Sequence, residues 1–437
     1  MIDEARQNVC ERVKQASLIF AENLRDKLQS KEFIESARMG AKDFTRVRLL
    51  PFYLVMIMIL RIIKASLQLE VEKIFKILGS KQTPPTKSAF SQARDKIRWQ
   101  AFAELFEDSV NWRYENEVLI RWRGYRVCAI DGTKLALPVD RDRKLLELFG
   151  GTGAGGDSPT AQGSIMYDIY NDIIMDARIG GLKPGERDMA YDHLDALVCR
   201  SDFGKELIIF DRGYPSYDLM RELADCGVTF VMRVKKGFNA EIDRMEAMGE
   251  RDIIMKSPDK ARPGSLRVRV IKFALPDGET ETLATNLFDK GLGPKAFEEL
   301  YFKRWPIETE YDIVKSKIEV ERFSGLSENA IRQEFYATTL MANYVGCLAR
   351  EAQGEADRER EDKNNKYDYQ ININHEIGSL REDFINIMIE EDPAERANKI
   401  ENLLSLVARA VEAVRPGRSK PRKKPRNVKH HHNRKPG

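Results

Sequence analysis

Hydrophobic residues recur at helical spacing through the first 122 residues and then give way to short apolar runs that are typical of strands. The helical part contains the apolar stretch 49–60, which is too short to cross a bilayer and is followed by Arg61 and Lys64. From Tyr125 onward, runs such as VCAI, SIMYDIY, ELIIF and VTFVMRV alternate with helical segments. This pattern predicts a helical N-terminal domain followed by an α/β core, a mixed sheet with flanking helices.

Three further segments complete the expected domain organisation. Alternating patterns such as LRVRVIKF predict a β-rich insertion at about 235–286. The polar stretch 351–369 reads as a linker or loop, and the glycine-rich stretch 149–164 reads as a mobile loop. We therefore expect domains at 1–122 and 123–350, a helical C-terminal region at 351–414 and a tail at 415–437. The C-terminal region has a stripe at helical spacing that is more typical of core than of an interface: Ile400, Leu403, Leu404, Val407, Val411 and Val414.

Charge is unevenly distributed along the chain. The net charge is only +3, but residues 415–437 contain ten Lys or Arg and no acid, so the rest of the chain is net acidic. A basic tail of this kind suits a polyanion, and a purely solubilising tail is the alternative. The four tail residues that we expect to contact DNA are Arg418, Arg422, Lys423 and Lys424.

Cysteine usage and the N-terminus indicate a reducing compartment. The five cysteines are scattered and odd in number, which argues against a disulfide framework or a zinc site. Residues 1–7 contain acids and are not followed by an apolar core, so we expect no signal peptide. The predicted location is cytoplasmic, with no membrane association.

Two isolated aspartates each follow an apolar run: Asp131 in VCAIDGT and Asp211 in ELIIFDRGY. An acid at a strand end often only starts a turn. A helical glutamate added to two such acids, however, provides the ligand set of a two-metal phosphoryl-transfer site. Glu308 is our candidate for the third acid, and Glu186 in GERD is a weaker candidate for a supporting group.

The segment YFKRWPIETEYDIVK carries four polar residues at helical offsets of 0, 3, 7 and 14: Tyr301, Arg304, Glu308 and Lys315. At about 100° per residue these offsets fall on one helix face. Such a face suits a phosphodiester beside a metal ion, although a solvated helix with ion pairs is the alternative. Pro306 interrupts the segment, so either the helix kinks there or a second helix begins, with Pro294 opening the first.

These motifs resemble those of the DDE transposases of bacterial insertion sequences, in the cut-and-paste branch with a Y-R-E-K signature. The resemblance covers roughly residues 85–350. It rests on the motifs DGT and DRGY and on the Y-R-E-K spacing of two, three and six intervening residues. It implies a ribonuclease H-like fold, in which the first and fourth strands are neighbours. Asp131 and Asp211 should then lie side by side.

The resemblance also implies an activity. Asp131, Asp211 and Glu308 would hold two Mg²⁺ ions, for which Mn²⁺ substitutes, and would cut DNA at the ends of a mobile element before joining the 3′ hydroxyl to target DNA. Tyr301, Arg304 and Lys315 would grip phosphates near the cleaved end. The partners implied are double-stranded DNA, both terminal inverted repeats and target, and a second copy of the chain on that DNA; no nucleotide cofactor is expected.

Residues 1–122 would bind the element ends. The segment TPPTKSAFSQARDKI predicts a helix capped by Thr86, with Lys87 and Arg94 as candidate DNA contacts, although basic residues on a helix are usually only its solvated face. Two rival functions remain at this point. One is a metal-dependent nuclease of the same fold without strand transfer, and the other is an inactive or domesticated DNA-binding protein.

Overall fold

The computed structural model describes residues 15–46, 48–61, 66–153, 155–183, 185–245, 248–275, 278–304, 307, 323–360 and 367–414. The N-terminal part is helical, as predicted. Its helices are α1 (Ala16–Gln29), α2 (Lys31–Ala37), α3 (Phe52–Leu60), α4 (Leu67–Ile77), α5 (Lys87–Arg94) and α6 (Gln100–Asn116). Within the described residues, no helix is both long enough and apolar enough to span a membrane.

Strands and helices then alternate through the core, as the apolar runs predict. In chain order these are β1 (Arg126–Ala136), α7 (Lys144–Phe149), β2 (Gly151–Thr152), β3 (Ser158–Asp168), β4 (Ile173–Gly180), α8 (Glu186–Val198), β5 (Glu206–Phe210), α9 (Tyr217–Asp225) and β6 (Thr229–Arg233). The β-rich insertion contributes α10 (Ala240–Asp243), β7 (Gly249–Lys256), β8 (Ser265–Ala274) and β9 (Thr280–Thr285). The remaining elements are α11 (Pro294–Phe302), α12 (Glu328–Arg358), β10 (Tyr369–Ile371), α13 (Ile373–Ile389), α14 (Pro393–Arg409) and β11 (Val411–Ala413).

The main sheet has the order β2-β3-β1-β5-β6-β9-β8-β7, and β4 pairs with β3. β5 runs parallel to both β1 and β6, whereas β3 and β4 form an antiparallel hairpin. The order β4-β3-β1-β5-β6 is therefore that of a ribonuclease H-like sheet, which confirms the predicted fold class. The insertion extends this sheet, because β9 pairs antiparallel with β6 and with β8.

Four local expectations differ from the structure. β1 continues past Asp131 to Ala136, and part of the glycine-rich stretch 149–164 is paired in β2 and β3. α12 extends to Arg358, into the stretch expected to be a linker. Val411 belongs to β11, which pairs with β10, because α14 ends at Arg409. β2 and β3 pair as a short local hairpin. β10 and β11, in contrast, pair between segments that are distant in sequence, which local composition does not report.

The chain forms two compact units. One comprises Met1–Val118, Leu135–Thr160 and Ile313–Gly437, and the other comprises Leu119–Lys134 and Ala161–Asp312. The first unit is built around α12, whose Tyr344 stacks on Phe20 of α1 with ring centroids 4.7 Å apart. The domain boundaries expected from the sequence stay a prediction.

Arg94 lies inside the first unit, where its side chain is fully engaged. It is only 3% exposed. Nε donates to Gln333 Oε1 at 2.6 Å, Nη1 donates to Ser324 Oγ and Glu334 Oε1 at 2.7 Å each, and Nη2 donates to the Ala330 carbonyl at 2.7 Å. The expectation that Arg94 contacts DNA therefore disagrees with the structure, in which the guanidinium joins α5 to α12.

We expect Arg94→Ala to lower the free energy of unfolding by about 3–5 kcal/mol, because it leaves the Glu334 carboxylate buried without its cationic partner. Lys87→Ala is the matched control, since Lys87 is exposed at the start of the same helix, and it should change stability by no more than about 0.5 kcal/mol. Urea unfolding followed by circular dichroism measures both. Equal stability of the two variants would contradict a structural role for Arg94.

Candidate active site

The site lies where the pairing between the parallel strands β1 and β5 ends, at the carboxyl end of β5. Ile130 and Phe210 are register partners at the end of the β1–β5 ladder, so the residues that follow them, Asp131 and Asp211, emerge at the same edge of the sheet. Neighbouring strands are about 4.8 Å apart. The structure therefore brings together two of the three acids that the sequence proposes, from positions 80 residues apart.

A buried ion pair at the other end of the two strands holds this register. Arg126 and Glu206 are register partners, and Arg126 Nε and Nη2 donate to the two Glu206 carboxylate oxygens at 2.9 and 2.7 Å. Arg126 Nη1 also donates to Asp202 Oδ2 at 2.8 Å. A fork of this kind has one good geometry, so it favours the pairing that aligns the two aspartates five residues later.

The surroundings of Asp131 disfavour the ionised form of its carboxyl group. Burial raises the pKa of Asp131 to about 6, and the negative charges of Glu186 and Asp211 act in the same direction. The backbone N–H of Gly132, which donates to Asp131 Oδ1 at 2.9 Å, and the charge of Arg304 oppose this increase. A divalent cation between the carboxylates would relieve their repulsion.

Tyr301 and Arg304 both contact these acids. Tyr301 lies in α11, which Pro294 opens as predicted, and its hydroxyl donates to Asp211 Oδ1 at 3.2 Å. Arg304 Nη1 lies 3.9 Å from Asp131 Oδ2. Burial and the charge of Asp211 raise the pKa of Tyr301, so its hydroxyl stays protonated and can donate a hydrogen bond.

Sequence reasoning missed Arg233, which reaches the same edge from β6. Its Nη1 lies 3.8 Å from Asp211 Oδ1, and its Nε donates to Glu281 Oε1 at 2.6 Å. The signal was available, because Arg233 ends the next parallel strand, and the carboxyl ends of parallel strands meet at one edge. Asp211 thus has both a cation and a hydroxyl beside it.

Glu186 begins α8 and lies against the glycines of both aspartate motifs. A Cβ on Gly132 would be 2.7 Å from Glu186 Cγ and 3.0 Å from Gln162 Nε2, so only glycine fits there without displacing a neighbour. A Cβ on Gly213 would lie 4.0 Å from Glu186 Oε2. The proposed supporting group is therefore close to the site, although among the described residues no three His, Cys, Asp or Glu side chains form a cluster that could hold a metal.

A buried hydrogen-bond network supports the backbone at Asp131. The Ser164 hydroxyl donates to the Asp131 carbonyl at 3.1 Å and lies 2.9 Å from His193 Nε2. His193 Nδ1 in turn lies 2.6 Å from Asp176 Oδ2, to which Arg178 Nε also donates at 2.7 Å. The network joins the β3–β4 hairpin to α8 and to the carbonyl of a site residue.

The other candidates are placed differently. Glu308, Lys315 and the tail residues Arg418, Arg422, Lys423 and Lys424 lie outside the described residues. Lys87 is exposed on α5, where it is open to solvent and to DNA, whereas Arg94 is buried as described above. Among the described cysteines none forms a disulfide; Cys128 and Cys347 are buried, whereas Cys199 is exposed.

The Asp176 network predicts a pH dependence of stability. Burial alone would raise the pKa of Asp176, but the charges of His193 and Arg178 and their hydrogen bonds lower it below its ordinary value of 3.8. The network's stabilisation is therefore complete above the ordinary value and is lost as the pH falls through the lowered one. Urea unfolding of the wild type and of Asp176→Asn should show a difference in free energy that shrinks as the pH falls below about 4, where the carboxylate takes up a proton. A difference that stays constant or grows over this acid range would contradict the assignment.

Comparison with known proteins shows the family of this chain. A protein of Sinorhizobium fredii (strain NBRC 101917 / NGR234) named "Putative transposase y4zB" is 30% identical over 178 residues, which cover 36% of this chain and 49% of that protein, so the match spans about half of the relative's length. The solved synaptic complex of piggyBac transposase with hairpin DNA aligns with 91% of this chain and 87% of its own chain, at 10% identity and a TM-score of 0.47. The family model described as the transposase DDE domain matches residues 122–344, about half of the 437 residues, and the chain belongs to this family.

Proposed function

We propose that this chain cleaves DNA at the ends of its own mobile element and joins the freed 3′ hydroxyl to target DNA. The observation that supports this most strongly is the position of Asp131 and Asp211 directly after the last pair of the parallel β1–β5 ladder, with Tyr301 and Arg304 in contact with them. Acids and phosphate-binding donors thus converge at one sheet edge, and they come from the motifs DGT, DRGY and Y-R-E-K.

The donor set fits a divalent metal ion, which the family generally uses. Carboxylate oxygens are the ligands that Mg²⁺ prefers, and two adjacent acids whose charges repel gain stability from a shared cation. We propose that Asp131, Asp211 and Glu308 hold two Mg²⁺ ions, with Mn²⁺ able to replace them. When bound, such ions lower the pKa of an attacking water and stabilise the leaving oxygen.

The chain's own side chains would position the DNA strand. Tyr301 offers a protonated hydroxyl, and Arg304 offers N–H donors that match the geometry of a phosphate. Lys315 would add a further cation, as the signature implies. Lys87 and the tail residues would contact the DNA backbone further from the cleaved bond, where cations position the duplex without reading its sequence.

The proposed reaction also constrains the partners. Joining two element ends to one target requires two sites on the same DNA, so we propose a homodimer on double-stranded DNA. In the cleavage step water attacks a phosphodiester and releases the 3′ hydroxyl and a 5′ phosphate. In the joining step that hydroxyl attacks the target, so one phosphodiester bond forms as another breaks. Neither step needs a nucleotide cofactor.

Joining of a pre-cut, labelled element end into a plasmid tests the activity. We expect wild-type protein with Mg²⁺ to give joined product, and Asp211→Asn to lower the rate by at least about 100-fold, since electrostatic groups at phosphoryl-transfer sites commonly contribute that much. Inverted repeats in the DNA flanking the gene supply the substrate. Asp195→Asn, which makes the same change at an exposed acid on α8, is the control and should keep most of the activity.

The products separate the rival functions. Hydrolysis without joining would favour a nuclease of the same fold. DNA binding without either reaction would favour an inactive DNA-binding protein, and either result would overturn the proposed strand transfer.

Metal binding can be measured without activity. Mg²⁺ at 100 times its dissociation constant should stabilise the wild type by about 2.7 kcal/mol. Asp131→Asn should be more stable than the wild type without metal, because one repelling charge is gone, and it should lose most of the Mg²⁺ response. Differential scanning calorimetry measures both effects, with Asp195→Asn, an exposed acid on α8, as the control. An undiminished Mg²⁺ response in Asp131→Asn would contradict the assignment.

A further inference from the structure

A basic cleft lies in the helical unit, between the loop that joins α2 to α3 and helix α5. Its volume is about 730 Å³. Four cations line it, Lys42, Arg46, Arg48 and Lys96, against a single acid, Asp43. The cleft therefore has a strong excess of positive charge in a chain whose overall charge is nearly balanced.

The acid in the cleft is already engaged and does not neutralise the arginines. Asp43 Oδ2 accepts a hydrogen bond from the Gly40 N–H at 2.9 Å, and Asp43 Oδ1 lies 4.0 Å from Lys96 Nζ. Within the described ranges, no ion pair is found for Arg46 or Arg48, and both side chains are exposed. Unpaired arginines present their planar donors to an incoming anion without first breaking an internal contact.

Contacts around Phe44 hold the described residues that precede Arg46 in this loop. Phe44 adopts a positive φ of 56° and packs edge-on against Phe52 of α3 with ring centroids 5.4 Å apart. The Thr45 hydroxyl donates to the Lys42 carbonyl at 2.9 Å, and Leu50 is buried where the loop ends. A non-glycine residue with positive φ costs about 1–3 kcal/mol, so the surrounding contacts must maintain this turn.

The opposite wall is suited to a polyanion. α5 has the sequence KSAFSQAR, which contains no acid, and its residues in the cleft are small or neutral: Ala89, Gln92 and Ala93. A phosphate backbone could approach such a wall closely without meeting a like charge. Lys87, exposed at the start of the same helix, adds another cation beside Pro85 of the cleft wall.

We propose that this cleft binds the phosphate backbone of duplex DNA, with Arg46 and Arg48 as its principal contacts. The proposal rests on the proposed function, because it assumes that the chain acts on DNA. Arg94, which the sequence suggested as a DNA contact, is buried, and the proposed contacts are loop residues instead. No helical or strand pattern in the sequence marks these loop residues as candidates. Contacts of this kind hold the duplex in place and read no sequence.

Fluorescence anisotropy with a labelled duplex of arbitrary sequence, measured over a series of salt concentrations, tests the cleft. For the double variant Arg46→Gln/Arg48→Gln we expect roughly tenfold weaker binding, and a slope of log K against log salt smaller by about 1.8, since each phosphate contact contributes about 0.9. The control Arg141→Gln/Arg409→Gln removes the same charge from two other exposed positions and should keep the wild-type slope. Arg46→Lys/Arg48→Lys should retain most of the slope, because it retains the charge.

The outcomes distinguish this proposal from the proposed function. Wild-type binding with an unchanged slope in the cleft variant would overturn the cleft alone, whereas no duplex binding by the wild type would overturn the proposed function as well. Equal losses in the cleft variant and the control would show an effect of net charge only and would also overturn the cleft. Binding of labelled ATP tests whether the cleft holds a free nucleotide. If the cleft variant loses ATP binding but retains duplex binding, the cleft is a nucleotide site and the proposal is overturned.

Lys42→Gln tests the cleft independently of the arginines. A slope of log K against log salt that is smaller by about 0.9, with thermal unfolding unchanged, would support the proposal.

Discussion

The register between β1 and β5 is the constraint on which the candidate active site depends. Two acids that are 80 residues apart meet only because Ile130 is paired with Phe210 and because the strands run parallel. A slip of one residue would reverse the direction of one of the two carboxylates. The fork of hydrogen bonds from Arg126 to Glu206, at the first pair of the same ladder, favours the one register that aligns them.

Alignment has an electrostatic cost, which the surrounding residues reduce without removing. Arg304 and Arg233 lie 3.9 and 3.8 Å from the nearest carboxylate oxygens of Asp131 and Asp211, longer than a direct ionic hydrogen bond. Burial still raises the pKa of Asp131 to about 6. The negative charges of Glu186 and Asp211 act in the same direction as burial, so the surroundings of Asp131 disfavour its ionised form.

Much of this arrangement could be predicted from local sequence patterns. The rest could not, and the reason is physical. Apolar runs ending in Asp131 and Asp211 indicate strands, and the alternation of runs indicates the ribonuclease H-like order. Arg233 could have been found by the same rule, since it also ends a parallel strand. The extension of α12 and the support of Asp131 by Ser164 and His193 depend on contacts between distant segments. Such contacts leave no periodic signal in any single segment.

Arg94 and the arginines of the basic cleft show why charge along a sequence is a weak guide to DNA contacts. A basic residue on a short amphipathic helix looks solvated, yet Arg94 finds its acidic partner 240 residues later and becomes part of the core. Arg46 and Arg48 lie in a loop without regular pattern, and their side chains stay exposed. Affinity for a polyanion comes from cations that are not already held in ion pairs within the protein. It therefore depends on which cations the fold places beside an acid and which it does not. In this chain the loop between α2 and α3 carries exposed arginines. Helix α5, in contrast, places Arg94 in a buried ion pair with Glu334.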